Sequence, residues 1–163
     1  MSSSEVNVDA LRFSGAQAMR SFATEHGDTY PFIDPRQADL TGRSVVITGA
    51  SRGIGRATAI SFAQAGASKI GLAARSDLAE VKTAVLEAAR QANRPEPVVV
   101  VVSGVDVTKE EDVKRFAATV QAEFGDSLDV LVNNAGILEP WVPLGESDPS
   151  VWWKTWEVNL KGP

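Results

Sequence analysis

The run Thr48-Gly49-Ala50-Ser51-Arg52-Gly53-Ile54-Gly55 sets three glycines beside a hydroxyl and a guanidinium. Glycine lets a backbone turn tightly and approach a ligand with no Cβ in the way. A helix that starts just beyond such a turn offers unpaired N–H groups and the positive end of its dipole to an anion. Ser51 and Arg52 add further donors. These residue types suit the pyrophosphate of a dinucleotide, provided that a strand precedes the loop and a helix follows it. Without those neighbours the same glycines would be a plain turn. No Gly-Lys-Ser or Gly-Lys-Thr follows them, which disfavours a P-loop nucleotide hydrolase.

The elements that must position this loop are legible on both sides of it. Residues 44–48 form a short β-branched run suited to a buried parallel strand. Residues 53–65 carry helical spacing, with Ile54, Ala57, Phe62 and Ala65 as the apolar positions and Gly66 at the stop. Residues 69–74 predict a second strand. Residues 77–92 predict a second helix, capped by Asp77 and facing inward with Leu78, Val81, Val85 and Leu86. Pro95 and Pro97 end it. The valines of 98–102 predict a third strand buried on both faces. Thr108 predicts the cap of a third helix over 109–124, with Glu111 completing a capping box. Glu110, Glu111 and Asp112 read as its acidic first turn. Residues 128–132 predict a fourth strand, and a fourth helix starts at residue 150 with Trp152, Trp156 and Leu160 along one side. Alternation of this kind makes a parallel sheet with helices on both faces. The expected fold class is α/β: a Rossmann-like doubly wound parallel sheet in the order 3-2-1-4, truncated after the fourth strand and the start of the following helix.

Composition narrows the function classes. Hydrophobic residues make up 44% and charged residues 23% of the 163 positions, a globular balance that excludes wholesale disorder. The net charge of −5 argues against nucleic acid or an anionic membrane as partner. With no Cys and one His, disulfides, thiolate nucleophiles and multi-His zinc sites are excluded, and no metal site is expected. The N-terminus lacks the basic and apolar regions of a secretory signal, and no apolar run approaches a membrane span, so the expected location is cytoplasmic, with an organelle as the alternative. Residues 1–42 read as an N-terminal arm that wraps the surface, with a short helix over 10–25 and the turning segment Tyr30-Pro31-Phe32-Ile33-Asp34-Pro35. Residues 43–163 read as the nucleotide-binding domain. His26, in the arm, is assigned no role.

The spacing Thr-Gly-x-x-x-Gly-x-Gly resembles the short-chain dehydrogenase/reductase family, and three further matches follow in order: Asp106-Val107, Asn133-Asn134-Ala135-Gly136, and Asn159 within Val158-Asn159-Leu160-Lys161-Gly162. The resemblance covers about residues 40 to 163. It implies that Gly49, Ser51, Arg52, Gly53, Ile54 and Gly55 line the cofactor site together with Asp106, Val107, Asn134, Ala135 and Gly136. It implies that Asp106 hydrogen-bonds the adenine. Asn133 and Asn134 match residues that tie the central strands together and line the same site. Asn159 matches a catalytic asparagine whose backbone carbonyl holds a water in a proton relay.

The end of the second strand bears on which nicotinamide cofactor fits. An acidic residue there would accept from the 2′-hydroxyl of NAD, whereas a 2′-phosphate needs positive charge. The sequence reads Ala73-Ala74-Arg75-Ser76, with no acid and with Arg75 following at once. Arg52 supplies a second guanidinium, and Arg grips phosphate through a planar fork. NADP(H) is therefore favoured, with NAD(H) possible.

Typical members of the family act through a Ser and a Tyr-x-x-x-Lys motif downstream of the asparagine. Tyr30 is the one tyrosine here, and the fourth residue after it is Asp34 rather than Lys. The expectation is an N-terminal cofactor-binding portion of an oxidoreductase that interconverts an alcohol and a ketone, inactive by itself. The alternative is a catalytically inactive nucleotide-binding fragment or pseudoenzyme. The resemblance also implies a homo-oligomer at full length, its subunit interface including the fourth helix. Trp141, Trp152, Trp153 and Trp156 are read either as that interface or as core.

Overall fold

The computed structural model describes residues 26–163, and the helix expected over 10–25 lies outside them. The chain divides into two compact units, Met1–Asp34 and Pro35–Pro163. In the described part of the first, a 3-10 turn spans Pro31–Ile33, and the rings of His26 and Tyr30 stack with centroids 3.9 Å apart.

The second unit is built on β1 (Ser44–Thr48), β2 (Lys69–Ala74), β3 (Val98–Ser103) and β4 (Val130–Val132). They form a four-stranded parallel sheet in the order β3-β2-β1-β4, as the alternation predicts. Helices α1 (Gly53–Gln64), α2 (Ala79–Gln91) and α3 (Glu110–Phe124) follow the first three strands. A fourth, α4 (Pro149–Trp156), continues as a π-helical turn over Glu157–Lys161. Residues 35–42 are bonded to this unit: Leu40 N–H donates to Ala65 O at 2.9 Å, and Arg94 Nη2 donates to Arg36 O and Ala38 O at 3.0 and 2.6 Å.

Successive strand residues point to opposite faces, so β1 feeds two cores. Val45 and Ile47 pack with Ala59 and Ala63 of α1 and with Val81 and Val85 of α2. Val46 packs on the other face with Phe116, Val120 and Phe124 of α3. Lys69 Nζ closes the end of α3 by donating to Phe124 O at 2.6 Å.

Several local expectations give way to tertiary packing. Helix α1 buries Gly55, Ala59 and Ala63, while Ile54 and Ala57 are exposed. Small side chains win that face because the helix lies close against the end of β1. Asp77 does not cap α2; Leu78 occupies the cap position and is fully buried. Burying a leucine contributes roughly 1.5–3 kcal/mol, against about 1 kcal/mol for a capping side chain. Thr108 does not cap α3 either. Lys109 holds that position without a side-chain bond, and Thr108 turns back to Asp106. Strand β3 is buried only at Val99 and Val100, with Val98 exposed, because β3 is an edge of this sheet. Strand β4 is two residues shorter than expected, because the Asp129 carboxylate takes the Ser44 N–H at 2.8 Å in place of a ladder bond. Trp152, Trp153 and Trp156 are exposed on α4, and Trp141 is exposed in the preceding loop, so none of them is core. Among the described residues no helix is long and apolar enough to cross a membrane.

Candidate functional site

The glycine loop turns from β1 into α1 at the C-terminal edge of the sheet. Gly49 and Gly53 take φ values of +65° and +54°, the left-handed region that L side chains avoid. A Cβ on Gly49 would stand 2.7 Å from Ala135 Cα, and one on Gly55 would stand 2.5 Å from Gly49 O and from Asn134 Nδ2. The loop therefore nests against the segment that leaves β4, and only glycine permits it. The first N–H groups of α1, from Gly53 onward, open beside Ser51 and Arg52.

Thr48 and Asn134 lock the two strand ends together. Thr48 Oγ1 accepts from Asn134 N–H at 3.1 Å and from Ala135 N–H at 3.0 Å. In return Asn134 Nδ2 donates to Thr48 O at 2.9 Å and Gly49 O at 3.2 Å. Asn133, expected beside it, is separated from it. It lines a second cleft next to α3, with Val46, Val120 and Leu131, because neighbouring residues at a strand end face opposite ways.

Past β3, Asp106 Oδ1 accepts from Thr108 Oγ1 at 2.8 Å and Thr108 N–H at 3.0 Å. Thr108's hydroxyl and then its N–H hold the Asp106 carboxyl below the usual carboxylate range. Past β4, Ile137 is held by Asn159 through both atoms of the side-chain amide, at 2.9 and 2.8 Å.

These loops enclose one cleft of ≈ 890 Å³. Gly49, Ser51, Arg52, Gly53, Ile54, Arg75, Asp106, Val107, Asn134, Ala135 and Gly136 all line it, so the structure brings the sequence-predicted residues together. Gly55 lies beneath the wall as the contact that seats the loop, and Asn159 acts on the wall through Ile137. Val105, Ile137 and Val158 also line the cleft; no polar motif marks them in the sequence. Among the described residues no carboxylate pairs with Arg52 or Arg75, and Asp106 is the one acid in the lining. The cleft thus combines helix-terminal amides and two guanidiniums, donors that suit a phosphate, with a carboxylate acceptor and apolar walls. Among the described residues no three His, Cys, Asp or Glu side chains gather to hold a metal ion.

The chain is similar in sequence and fold to known proteins. The family model described as short chain dehydrogenase matches residues 43–163. A short chain dehydrogenase of Monascus purpureus is 55% identical over 137 residues, covering 84% of this chain and 46% of that protein. Carveol dehydrogenase from Mycobacterium avium, solved in complex with NAD, is 26% identical with a TM-score of 0.64, over 77% of this chain and 47% of that one. The C-domain of a bacterial malonyl-CoA reductase, solved with NADP, is 25% identical with a TM-score of 0.70, over 78% of this chain and 20% of that one. The chain spans about half the length of the curated relatives it matches.

Proposed function

Because the chain belongs to the short chain dehydrogenase family, we propose that it is the cofactor-binding portion of an NADP(H)-dependent oxidoreductase that interconverts an alcohol and a ketone. The observation that carries the cofactor choice is the pair Arg52 and Arg75 on the cleft, unpaired with any described carboxylate, beside Ala73 and Ala74 where an acid would favour NAD(H). Structural neighbours were solved with NAD and with NADP, so the choice rests on the charges of this cleft.

When bound, the nicotinamide group would supply or accept the hydride. In this reading the chain's own residues bind and orient. The α1 amides with Ser51 hold the pyrophosphate, Arg75 with Arg52 holds the 2′-phosphate, and Asp106 accepts from the adenine. Val107, Ile137 and Val158 exclude water from the walls. Asn159 orders the segment after β4 and offers its backbone carbonyl to a proton relay. The Ser and Tyr-x-x-x-Lys that would exchange a proton with the substrate are not found in this sequence, so the chain alone is proposed to bind without turnover. The exposed Trp152, Trp153 and Trp156 would belong to a subunit interface of the homo-oligomer.

Calorimetric titration of the chain with NADP⁺ and NAD⁺ tests the reading. NADP⁺ is expected to bind at least tenfold tighter. Equal affinities, or a preference for NAD⁺, would overturn the cofactor assignment. Oxidation of NADPH by a small ketone with this chain alone would overturn its inactivity.

A further inference from the structure

Asp112 stands apart from the acidic residues around it. The side chains of Glu110 and Glu111 are 79% and 89% exposed, whereas that of Asp112 is 17% exposed. It folds back from the first turn of α3 onto the segment that leaves β3. Its Oδ2 accepts from Asp106 N–H at 3.1 Å. Its Oδ1 pairs with Arg115 Nη1 at 3.1 Å, and Arg115 Nη2 donates to Gly104 O at 3.0 Å. Together the two side chains bracket Val105, which is buried, lines the cleft and donates its N–H to Ala74 O at 3.0 Å. The bend over 104–106 belongs to no helix or strand, so these side chains add to the one Val105–Ala74 backbone bond that holds it.

We propose that Asp112 is a positioning residue for the nucleotide: by holding the Asp106 backbone, it sets where the Asp106 carboxylate meets the base. The proposal rests on the reading of the cleft as a dinucleotide site. Division of labour within Asp106 supports it. Oδ1 is occupied by Thr108, and among the described residues no donor reaches Oδ2. An ionised carboxylate oxygen accepts and cannot donate, so it selects a ligand amino group, such as that of adenine, over a carbonyl in the same place.

That selectivity provides a readout that a purely structural role for Asp112 would not move. The affinity of the chain for NADP⁺ is compared with that for its hypoxanthine analogue, in which a carbonyl replaces the 6-amino group. The wild-type chain is expected to prefer NADP⁺ about tenfold, the scale of one hydrogen bond to a charged group. Asp112→Ala is expected to bring the ratio near one. Asp112→Asn keeps an oxygen for the Asp106 N–H and is expected to restore most of the preference. An Asp112→Ala ratio equal to wild type would show Asp112 to be a helix-end contact only and overturn the proposal. A wild-type chain that binds NADP⁺ without preferring adenine would overturn it too, while leaving the reading of the cleft intact. A wild-type chain that binds neither nucleotide would overturn both. If Asp112→Ala does not fold, Arg115→Met, which removes the other half of the bracket from an exposed position, is measured on the same ratio. A partial loss is expected, and an unchanged ratio counts against the proposal.

Discussion

The side-chain amide of Asn159 bonds the backbone of Ile137 in both directions. Ile137 N–H donates to Oδ1 at 2.9 Å, and Nδ2 donates to Ile137 O at 2.8 Å. The π-helical turn that carries Asn159 is thereby joined to the cleft wall, and its neighbour Val158 is buried there. Each polar atom of the Asn159 side chain thus makes one bond to Ile137.

The Asn159–Ile137 pair is expected to be structural in its side chain. Asn159→Ala should cost about 1–3 kcal/mol, two net hydrogen bonds, read as a lowered denaturation midpoint. Asn159→Asp should cost more, because a carboxylate would face the Ile137 carbonyl. An unchanged midpoint in both variants would show that the pair does not hold the wall.

Two glycines of the loop should fail in different ways. A Cβ on Gly55 meets backbone at 2.5 Å, and backbone cannot swing aside. Gly55→Ala is therefore expected to destabilise by about 1–3 kcal/mol or more. Nothing stands within 4 Å of a Cβ on Gly53, which takes a φ of +54° on the cleft surface. Gly53→Ala should cost only about 1–2 kcal/mol of backbone strain but weaken nucleotide binding well beyond that. Thermal melts and nucleotide titrations of the two variants, side by side, check the contrast.

Removal of the Arg75 guanidinium should discriminate between cofactors. Arg75→Ala is expected to weaken NADP⁺ by roughly tenfold to a hundredfold, the worth of a charge-assisted hydrogen bond. NAD⁺, which lacks the 2′-phosphate, should be little affected. An equal loss for both would mean that Arg75 does not read the 2′ position.

Acid should loosen the junction of β1 and β4. The Ser44 N–H, then the Arg43 guanidinium and the Ser44 hydroxyl, hold the Asp129 carboxyl down at about 2, below its ordinary 3.8. A carboxylate depressed in the folded state stabilises the fold above the unfolded value and ceases to as pH falls through the folded one. Asp129→Asn should therefore lower the melting temperature at neutral pH, and its deficit against wild type should shrink as pH drops from about 4 towards 2. A deficit that stays constant across that window would remove Asp129 ionisation from the account.

Much of this architecture is local in origin. The β-branched run of β1, the limits of β2 and the strand–helix alternation predict the sheet order, because pleat and helix periodicities are written in neighbouring residues. The glycine spacing, Asp106 and the Asn134-Ala135-Gly136 segment likewise mark the cleft in the sequence itself. Tertiary structure decided which polar group meets which backbone. Asp77 and Thr108 have the chemistry of caps, yet the burial of Leu78 and the nearness of Asp106 draw them off. Asn133 and Asn134 are the same residue type, and only the direction of the strand end sends Asn134 to the cleft and Asn133 to the other side. Asp112 reads as one acid among three, and Asp129 as a plain strand-start residue. Their roles arise because folding brings them to Asp106 and Ser44. Periodicity records what lies within a few residues; a hydrogen bond between Asp129 and a residue 85 positions earlier exists only once the sheet has closed.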